Sequence, residues 1–164
     1  MLRRATFLIL LLAAGCGEPG RAPIGVPPTR LIPGQWEIRG FVTGARAPAL
    51  PIVLRDRLIG PRATRRVCVT PAQAANADAT LLAQRPGDCA QRGVTLDNGR
   101  LTGAMVCTDR GRPPDVIALD GRYGPDRYVL RMEMTSPLPD GNTITLDVVT
   151  IGERTGDCEG GETG

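Results

Sequence analysis

The feature that most constrains this chain is its N-terminus, because it decides in which compartment the rest of the chain folds. Arg3 and Arg4 precede an apolar run at residues 7–14. The run has signal-peptide length and is too short to span a bilayer as a helix. Small residues follow and end abruptly at Cys16. An exported chain folds where thiols oxidise, so we expect the four later cysteines to form disulfides.

The junction at Cys16 resembles the lipobox of bacterial lipoproteins. Cleavage before the cysteine of that motif leaves it with a thioether-linked diacylglycerol and an acylated amine. Ala13 stands where leucine is commoner, and an ordinary signal peptide is the alternative. Gly17 follows the cysteine in place of aspartate, which by the usual bacterial sorting pattern implies the outer membrane. The resemblance predicts a lipid anchor at Cys16, on the periplasmic side of the outer membrane.

Composition divides the chain into four segments. Residues 1–15 are the predicted signal peptide, and residues 16–34 join the lipidated cysteine to a linker rich in Pro and Gly. Residues 35–158 have the length of one β-rich domain, and residues 159–164 are a predicted flexible tail. All 20 basic residues are arginines, and they interleave with 17 acidic residues. That charge pattern excludes a nucleic-acid-binding surface.

Alternating apolar and polar residues predict β-strands through most of the domain. The strongest turn signal is Asn98-Gly99, the dipeptide most typical of two-residue hairpins. The first strand begins near Gln35 and carries Trp36, the single tryptophan. The other predicted strands lie at residues 52–59, 66–69, 91–97, 100–108, 116–123, 127–135 and 142–151.

One helix is predicted, from about Pro71 to Ala83. Thr70 suits the N-cap position, Pro71 suits the first helical position, and Gln73 completes a capping box. The alanine-rich segment has a thin apolar face and ends at Pro86. We therefore expect an α+β, mainly β fold. It consists of a curved antiparallel meander of about seven or eight strands, with one short helix packed on it and two disulfides.

The order of the motifs resembles a known family. Pro-Gly-Gln-Trp-Glu at residues 33–37 opens the domain, and Cys-Val-Thr-Pro at 68–71 precedes the helix. A cysteine follows the helix, another ends the next hairpin, and Gly-Asp-Cys closes the domain at 156–158. This order resembles domain-of-unknown-function family 3617, small exported bacterial proteins. The chain departs from the family in lacking its Met- and Lys-rich character and in its lipobox. The resemblance implies an exported β-rich domain and no catalytic residues.

The hairpin register distinguishes among the three possible pairings of the four cysteines. The two-residue turn places Cys89 one residue out of register with Cys107, so a small slip or bulge allows these two to bond. Cys68 and Cys158 then form the second disulfide. A zinc site is the alternative, but the spacings contain no Cys-x-x-Cys and the chain has no histidine. We predict neither a metal nor a cofactor.

The sequence offers little catalytic chemistry. It has no histidine, no nucleophile motif and no phosphate-binding loop. The carboxylates that could do acid–base work are Asp109, Asp115, Asp120 and Asp126. Each lies beside a loop or turn, where aspartate is the ordinary residue, so we expect all four to be exposed. The local basic cluster is Arg62, Arg65 and Arg66, which we interpret as a solvated strand end and not as an anion site.

We therefore expect a non-catalytic binding or structural module of the cell envelope, anchored through Cys16. Its partner would be an envelope protein or an apolar small molecule on the open face of the curved sheet. The alternative is an inhibitor of an envelope-directed hydrolase of the lysozyme or protease type. Its projecting loop would come from residues 110–114 or 137–140. A deep apolar concavity favours the first function, and a flat sheet with a projecting loop favours the second.

Overall fold

The computed structural model describes residues 30–62, 64–84 and 88–158. The predicted signal peptide, Cys16, most of the linker and the predicted tail lie outside the described residues. The strands are β1 Gly34–Arg46, β2 Gly60–Pro61, β3 Arg65–Val69, β4 Asp88–Asp97, β5 Arg100–Thr108, β6 Asp115–Tyr123, β7 Arg127–Pro137 and β8 Thr143–Gly156. The helices are α1 Ile52–Asp56, α2 Pro71–Ala75 and α3 Ala79–Ala83.

The strands form one antiparallel sheet of eight strands in the order β2-β1-β8-β7-β6-β5-β4, and β3 also pairs with β1. Strands β4 to β8 follow one another as hairpins, and β8 pairs along most of β1. The edge of β1 that faces away from β8 pairs with β3 near the start of β1 and with β2 near its middle. This architecture confirms the predicted mainly β meander with two disulfides.

The register gives the sheet an apolar inner face and a charged outer face. Trp36, Ile38 and Val42 of β1 are buried on the inner face, whereas Glu37 and Arg39 alternate with them on the outer face. The two short helices α2 and α3 join the core on the inner face, where Ala74, Ala79 and Leu82 are buried. An alternating strand pattern produces this arrangement because successive side chains of a strand point to opposite faces.

A pair of stacked aromatic rings closes one end of the core. Trp36 is 1% exposed, and its ring lies 5.9 Å from that of Tyr128 at an interplanar angle of 29°. The Trp36 indole Nε1 donates a hydrogen bond of 3.1 Å to the carbonyl of Ile32. Gly152 pairs with Tyr128, and a Cβ on it would lie 2.1 Å from the tyrosine ring. The glycine therefore makes room for the buried tyrosine.

The strand predicted at residues 52–59 is wrong, because this segment contains α1. Pro51 precedes the helix, and its carbonyl accepts hydrogen bonds from the amides of Leu54 and Arg55. Ile52 and Val53 are 61% and 60% exposed. Their β-branched side chains favour a strand. However, β2 and β3 pair with the edge of β1 that faces away from β8. The backbone of this segment forms its hydrogen bonds within the helical turn of α1 instead.

The predicted helix at residues 71–83 is divided into α2 and α3. The capping box between Thr70 and Gln73 is present as predicted. Asn76 ends α2 by donating its side-chain amide to the carbonyl of Ala72, and Asp78 starts α3 by accepting from the amide of Leu81. These short polar side chains compete with a continuous helix because they bond to nearby backbone groups.

The last strand is longer than predicted. The predicted strand ends at residue 151, whereas β8 continues to Gly156. Its final residues pair with the start of β1, where Arg154 lies opposite Trp36. The Arg154 Nε also donates to the carbonyl of Pro33 at 2.9 Å. Tertiary pairing therefore holds a segment whose composition alone favours a loop.

Candidate functional site

The inner face of the sheet contains an apolar groove, which we call the inner groove. Its volume is about 290 Å³, and its floor consists mainly of side chains from β1, β7 and β8. The apolar side chains of the floor include Ile38, Val42, Met132, Met134, Leu146 and Val148. Small-molecule sites are concave and mostly apolar with a few polar groups, and the inner groove has this character.

Strand register explains why these side chains meet. Val148 of β8 lies opposite Val42 of β1 on one side and opposite Met132 of β7 on the other. Leu146 lies opposite Met134 in the next inward-facing row. Residues opposite one another in a sheet share a face, so the two rows form a continuous apolar floor. The methionines add flexible, polarizable side chains that adapt to different ligand shapes.

The helices cover one part of the inner face and leave the groove beside it. Leu82 of α3 is 2% exposed and belongs to the core, whereas Met132, Met134, Leu146 and Val148 are half-buried. Ala83 and Gln84, at the end of α3, form one wall of the groove. The inner groove therefore lies beside the end of α3.

Two arginines form another part of the wall. Arg62 follows β2 and Arg65 begins β3, and both line the groove. The Arg62 amide donates to the carbonyl of Gly40 at 2.8 Å, and its Nη2 donates to the carbonyl of Leu58 at 3.2 Å. The sequence interpretation of this cluster as a solvated strand end did not include the groove that two of its members line.

The outer face carries a network of exposed ion pairs. Arg46 lies 2.7 Å from Asp147 and 2.8 Å from Glu133. The Asp147 carboxylate, and Glu133 to a lesser extent, raises the pKa of Arg46 above its ordinary value. Arg39 pairs with Glu153 on the same face. Exposed pairs contribute little stability, so this face mainly keeps one side of the sheet hydrated.

Two disulfides hold the ends of the sheet. Cys68 bonds to Cys158 with Cα atoms 5.5 Å apart, which joins β3 to the residues after β8. Cys89 bonds to Cys107 with Cα atoms 4.0 Å apart, which joins β4 to β5. This is the pairing that the hairpin register predicts. None of these four cysteines lines the inner groove. The two disulfides therefore link strands of the sheet and do not contribute to the groove surface.

The four candidate aspartates differ in exposure and lie at different places in the fold. Asp115 is only 7% exposed at the start of β6, which contradicts the expected exposure. It shares the inward-facing register with Ile117, and strand alternation buries it for that reason. Asp120 lies on the outer face, 3.4 Å from Arg100. Asp109 and Asp126 are exposed. Within residues 30–62, 64–84 and 88–158, no cluster of Cys, Asp and Glu could hold a metal ion.

The two loops considered for an inhibitor are compact and exposed. In the turn between β7 and β8, the Asp140 carboxylate accepts hydrogen bonds from the Asn142 amide at 3.0 Å and from its Nδ2 at 2.9 Å. These bonds, the side-chain one foremost, lower the pKa of Asp140. Between β5 and β6, the Arg112 amide donates to the carbonyl of Asp109 at 3.2 Å.

A family model described as "Protein of unknown function (DUF3617)" matches residues 31–158. The chain belongs to the DUF3617 family. No curated protein matches the chain, and no solved structure matches it. The DUF3617 match starts at Leu31, which is buried in the core, and ends at Cys158. It therefore covers both disulfides and the whole inner groove.

Sequence reasoning expected a binding surface on the open face of the sheet but did not identify the residues that line the inner groove. The available signal was the alternation of Met132 and Met134 with polar neighbours, next to a strand in which Leu146 and Val148 alternate in the same way. This signal identifies apolar strand faces but not which part of the face a helix covers. No helix in the described part of the DUF3617 chain is long and apolar enough to cross a membrane.

Proposed function

We propose that this DUF3617 chain is a non-catalytic binding module of the bacterial cell envelope that holds an apolar small molecule in the inner groove. The observation that carries the proposal is the groove of about 290 Å³ with its floor of aliphatic and thioether side chains. A curved sheet with a concave apolar face is the geometry that favours a ligand-binding module over a flat inhibitor scaffold.

The chemistry of the groove also supports binding and not catalysis. Among the residues that the structure describes, the lining contains one hydroxyl, that of Thr150, and no carboxylate or cysteine. The chain has no histidine, the commonest general base. The buried Asp115 begins β6 on the inner face and does not belong to the lining. Aliphatic floors bind by removing apolar surface from water.

The proposal includes a lipid anchor at Cys16 on the periplasmic side of the outer membrane. Its support is the sequence of the N-terminus, an apolar run that ends in small residues and then cysteine. Several acyl chains, at about 0.8 kcal/mol for each buried CH₂, would make the attachment effectively permanent. The linker after Cys16 would allow the groove to meet molecules that leave the membrane.

The groove is tested by the material that the protein retains when purified from envelope fractions. Native mass spectrometry should detect a bound apolar molecule, and Met134→Glu should abolish it by placing a charge in the floor. Val116→Glu is the matched control, because Val116 is 49% exposed on the outer face of the neighbouring strand. Equal retention by both variants would reject the groove as the binding site.

The anchor is tested separately by fractionation. In a Gram-negative host the unchanged chain should partition with membranes and carry acyl groups on Cys16. Cys16→Ser should leave the protein soluble or unprocessed, whereas Cys107→Ser, which alters a cysteine within the sheet, should not change the partitioning of folded protein. Membrane partitioning that survives Cys16→Ser would reject the anchor and leave the groove proposal intact.

An inhibitor of an envelope-directed hydrolase is the second candidate function. The observation that favours it is the turn at residues 138–142, which the Asp140–Asn142 hydrogen bonds hold rigid on the surface. A rigid projecting loop loses little conformational freedom when it enters an active site. Inhibition of a lysozyme or an envelope protease by the purified protein, relieved by Asp140→Ala, would favour this function over ligand binding.

A further inference from the structure

We infer that the ligand of the inner groove is a single-chain fatty-acid anion whose carboxylate binds Arg62 and Arg65. This inference rests on the proposed function and specifies its ligand. The groove combines an apolar floor with guanidinium groups on one wall. That asymmetry matches a molecule with an apolar tail and an anionic head.

Arg62 and Arg65 are the two arginines among the described lining residues of the groove, and they differ from the paired arginines of the outer face. Arg39, Arg46 and Arg127 each lie within 4 Å of a carboxylate on the outer face. Neither Arg62 nor Arg65 forms an ion pair with any of the residues that the structure describes. The guanidinium groups of Arg62 and Arg65 lie beside an apolar surface and can therefore form ion pairs with the anionic group of a ligand.

Register explains why Arg65 faces the groove while its neighbour does not. In the pairing of β3 with β1, Arg65 lies opposite Ile38 and Arg66 lies opposite Glu37. Ile38 belongs to the inner face, so Arg65 shares the side of the floor. Arg66 points to the outer face, where it lies 3.7 Å from Glu37. The sequence cluster is therefore divided, with one member paired outside and one facing the groove.

Arg62 is held in place at the same wall. Its amide bonds to the Gly40 carbonyl, and its Nη2 bonds to the Leu58 carbonyl. A guanidinium has five N–H donors, so this anchoring leaves donors for a ligand. Arg62 packs beside β1 at Gly40, where a Cβ would be in ordinary van der Waals contact with the Arg62 Cβ at 3.5 Å. The planar guanidinium group of arginine can donate two parallel hydrogen bonds to the two oxygens of a carboxylate.

The volume favours one acyl chain. At about 290 Å³ the groove lies at the lower end of ligand-site volumes, which run from roughly 300 to 1,000 Å³. One acyl chain matches that volume better than a two-chain phospholipid does, and the rows of Val148 and Leu146 offer it an apolar floor. On the side of α3, the described lining residues are Ala83 and Gln84, which are uncharged. The carboxylate is therefore placed at the arginine wall and the tail across β8 and β7.

The test uses the full chain with Cys16→Ser, so that no acyl group on that cysteine competes for the groove. Isothermal titration calorimetry below the micelle concentration compares dodecanoate, dodecanol and dodecyltrimethylammonium. We expect dodecanoate to bind about tenfold more tightly than dodecanol, a difference of about 1.4 kcal/mol. The cationic amphiphile should bind more weakly than both, because the arginine wall repels it.

Variants locate the headgroup site. Arg62→Gln and Arg65→Gln should each weaken dodecanoate binding about fivefold, as expected for a partly exposed ion pair. Their dodecanol affinity should not change, which also shows that the variants are folded. Arg131→Gln is the matched control, since Arg131 is exposed on the outer face of β7. It should bind dodecanoate as the parent does.

The outcomes separate this inference from the proposed function. Equal affinities for dodecanoate and dodecanol, or arginine variants that match Arg131→Gln, would overturn the fatty-acid assignment and leave an apolar ligand in the groove. Dodecyl phosphate binding more than tenfold tighter than dodecanoate would replace the carboxylate with a phosphate and overturn the assignment as well. Failure of every amphiphile, together with equal retention of envelope material by Met134→Glu and Val116→Glu, would reject both proposals.

Discussion

Cys89 lies directly opposite Cys107 because one extra residue in β4 shifts the hairpin register. Next to the turn, Asp97 pairs with Arg100, and this register continues to Thr95. Beyond a bulge at Gly93, which has φ 56°, the pairing is displaced by one residue. Without the bulge Cys89 would face a threonine, and a one-residue slip exchanges the faces of the sheet. The bulge therefore makes the short disulfide possible.

Gly103 supports this bulge from the opposite strand, so replacing it should destabilise the hairpin. It has φ +141°, and a Cβ there would lie 2.6 Å from the Cα of Val94. We expect Gly103→Ala to lower the free energy of unfolding by about 2–3 kcal/mol, measured in urea. Gly111→Ala is the control, since Gly111 also has positive φ but open space around it. A larger loss for Gly111→Ala would contradict the crowding argument.

The two disulfides should differ in their contribution to stability. The Cys68–Cys158 bond spans 90 residues and the Cys89–Cys107 bond spans 18. In the chain-entropy model, removing the first pair by double alanine substitution costs about 4.6 kcal/mol and removing the second about 3 kcal/mol. Denaturant unfolding of the two double variants measures the difference. The opposite order would indicate that strain or residual denatured structure outweighs loop length.

Trp36 should carry a large share of the core energy. Its side chain is 1% exposed and stacks on Tyr128, so Trp36→Ala should lower the free energy of unfolding by about 3–5 kcal/mol. Ile52→Ala is the control, because Ile52 is 61% exposed on α1 and should change stability by less than about 0.5 kcal/mol. Tolerance of Trp36→Ala would show that the aromatic corner can collapse around the loss.

Tyr128 should make the fold sensitive to alkali. Its buried hydroxyl has no hydrogen-bond partner among the described residues, and burial raises its pKa above the ordinary value of 10.0. The unfolded chain therefore releases the proton first, and stability falls as the pH rises above 10.0. Tyr128→Phe should weaken this alkaline loss and cost less than about 1 kcal/mol at neutral pH. Unfolding at several pH values, with tyrosinate absorbance, measures both effects, and an unchanged pH profile would contradict the assignment.

The buried and the exposed aspartate should respond differently to the same change. Asp115 is 7% exposed, whereas the Asp120 side chain is 65% exposed. Asp115→Asn should lower the free energy of unfolding by about 1–3 kcal/mol, because it alters a buried polar group. Asp120→Asn should stay within about 0.5 kcal/mol of the parent. Similar losses for both variants would show that burial does not decide the effect.

Local features of the sequence determined much of the fold. Asn98-Gly99 specified its hairpin because few residues other than Asn and Gly tolerate the positive φ angles of that turn, and φ is 46° and 76° here. Thr70 and Gln73 formed the predicted capping box because both partners lie within one helical turn. Alternation of apolar and polar residues predicted the first strand, which carries Trp36, since that pattern depends on neighbours along the chain.

The tertiary structure decided what depends on distant partners. The apolar segment that begins at Ile52 became α1 and not a strand, because the edge of β1 was already occupied by β2 and β3. Asp115 was buried because the register aligned it with inward-facing residues of its strand. The inner groove depends on strand register, which places Met134 and its neighbours from β7 and β8 on the inner face beside the end of α3. Contacts between residues far apart in sequence determine each of these outcomes. A local sequence pattern depends only on neighbouring residues and therefore cannot predict them.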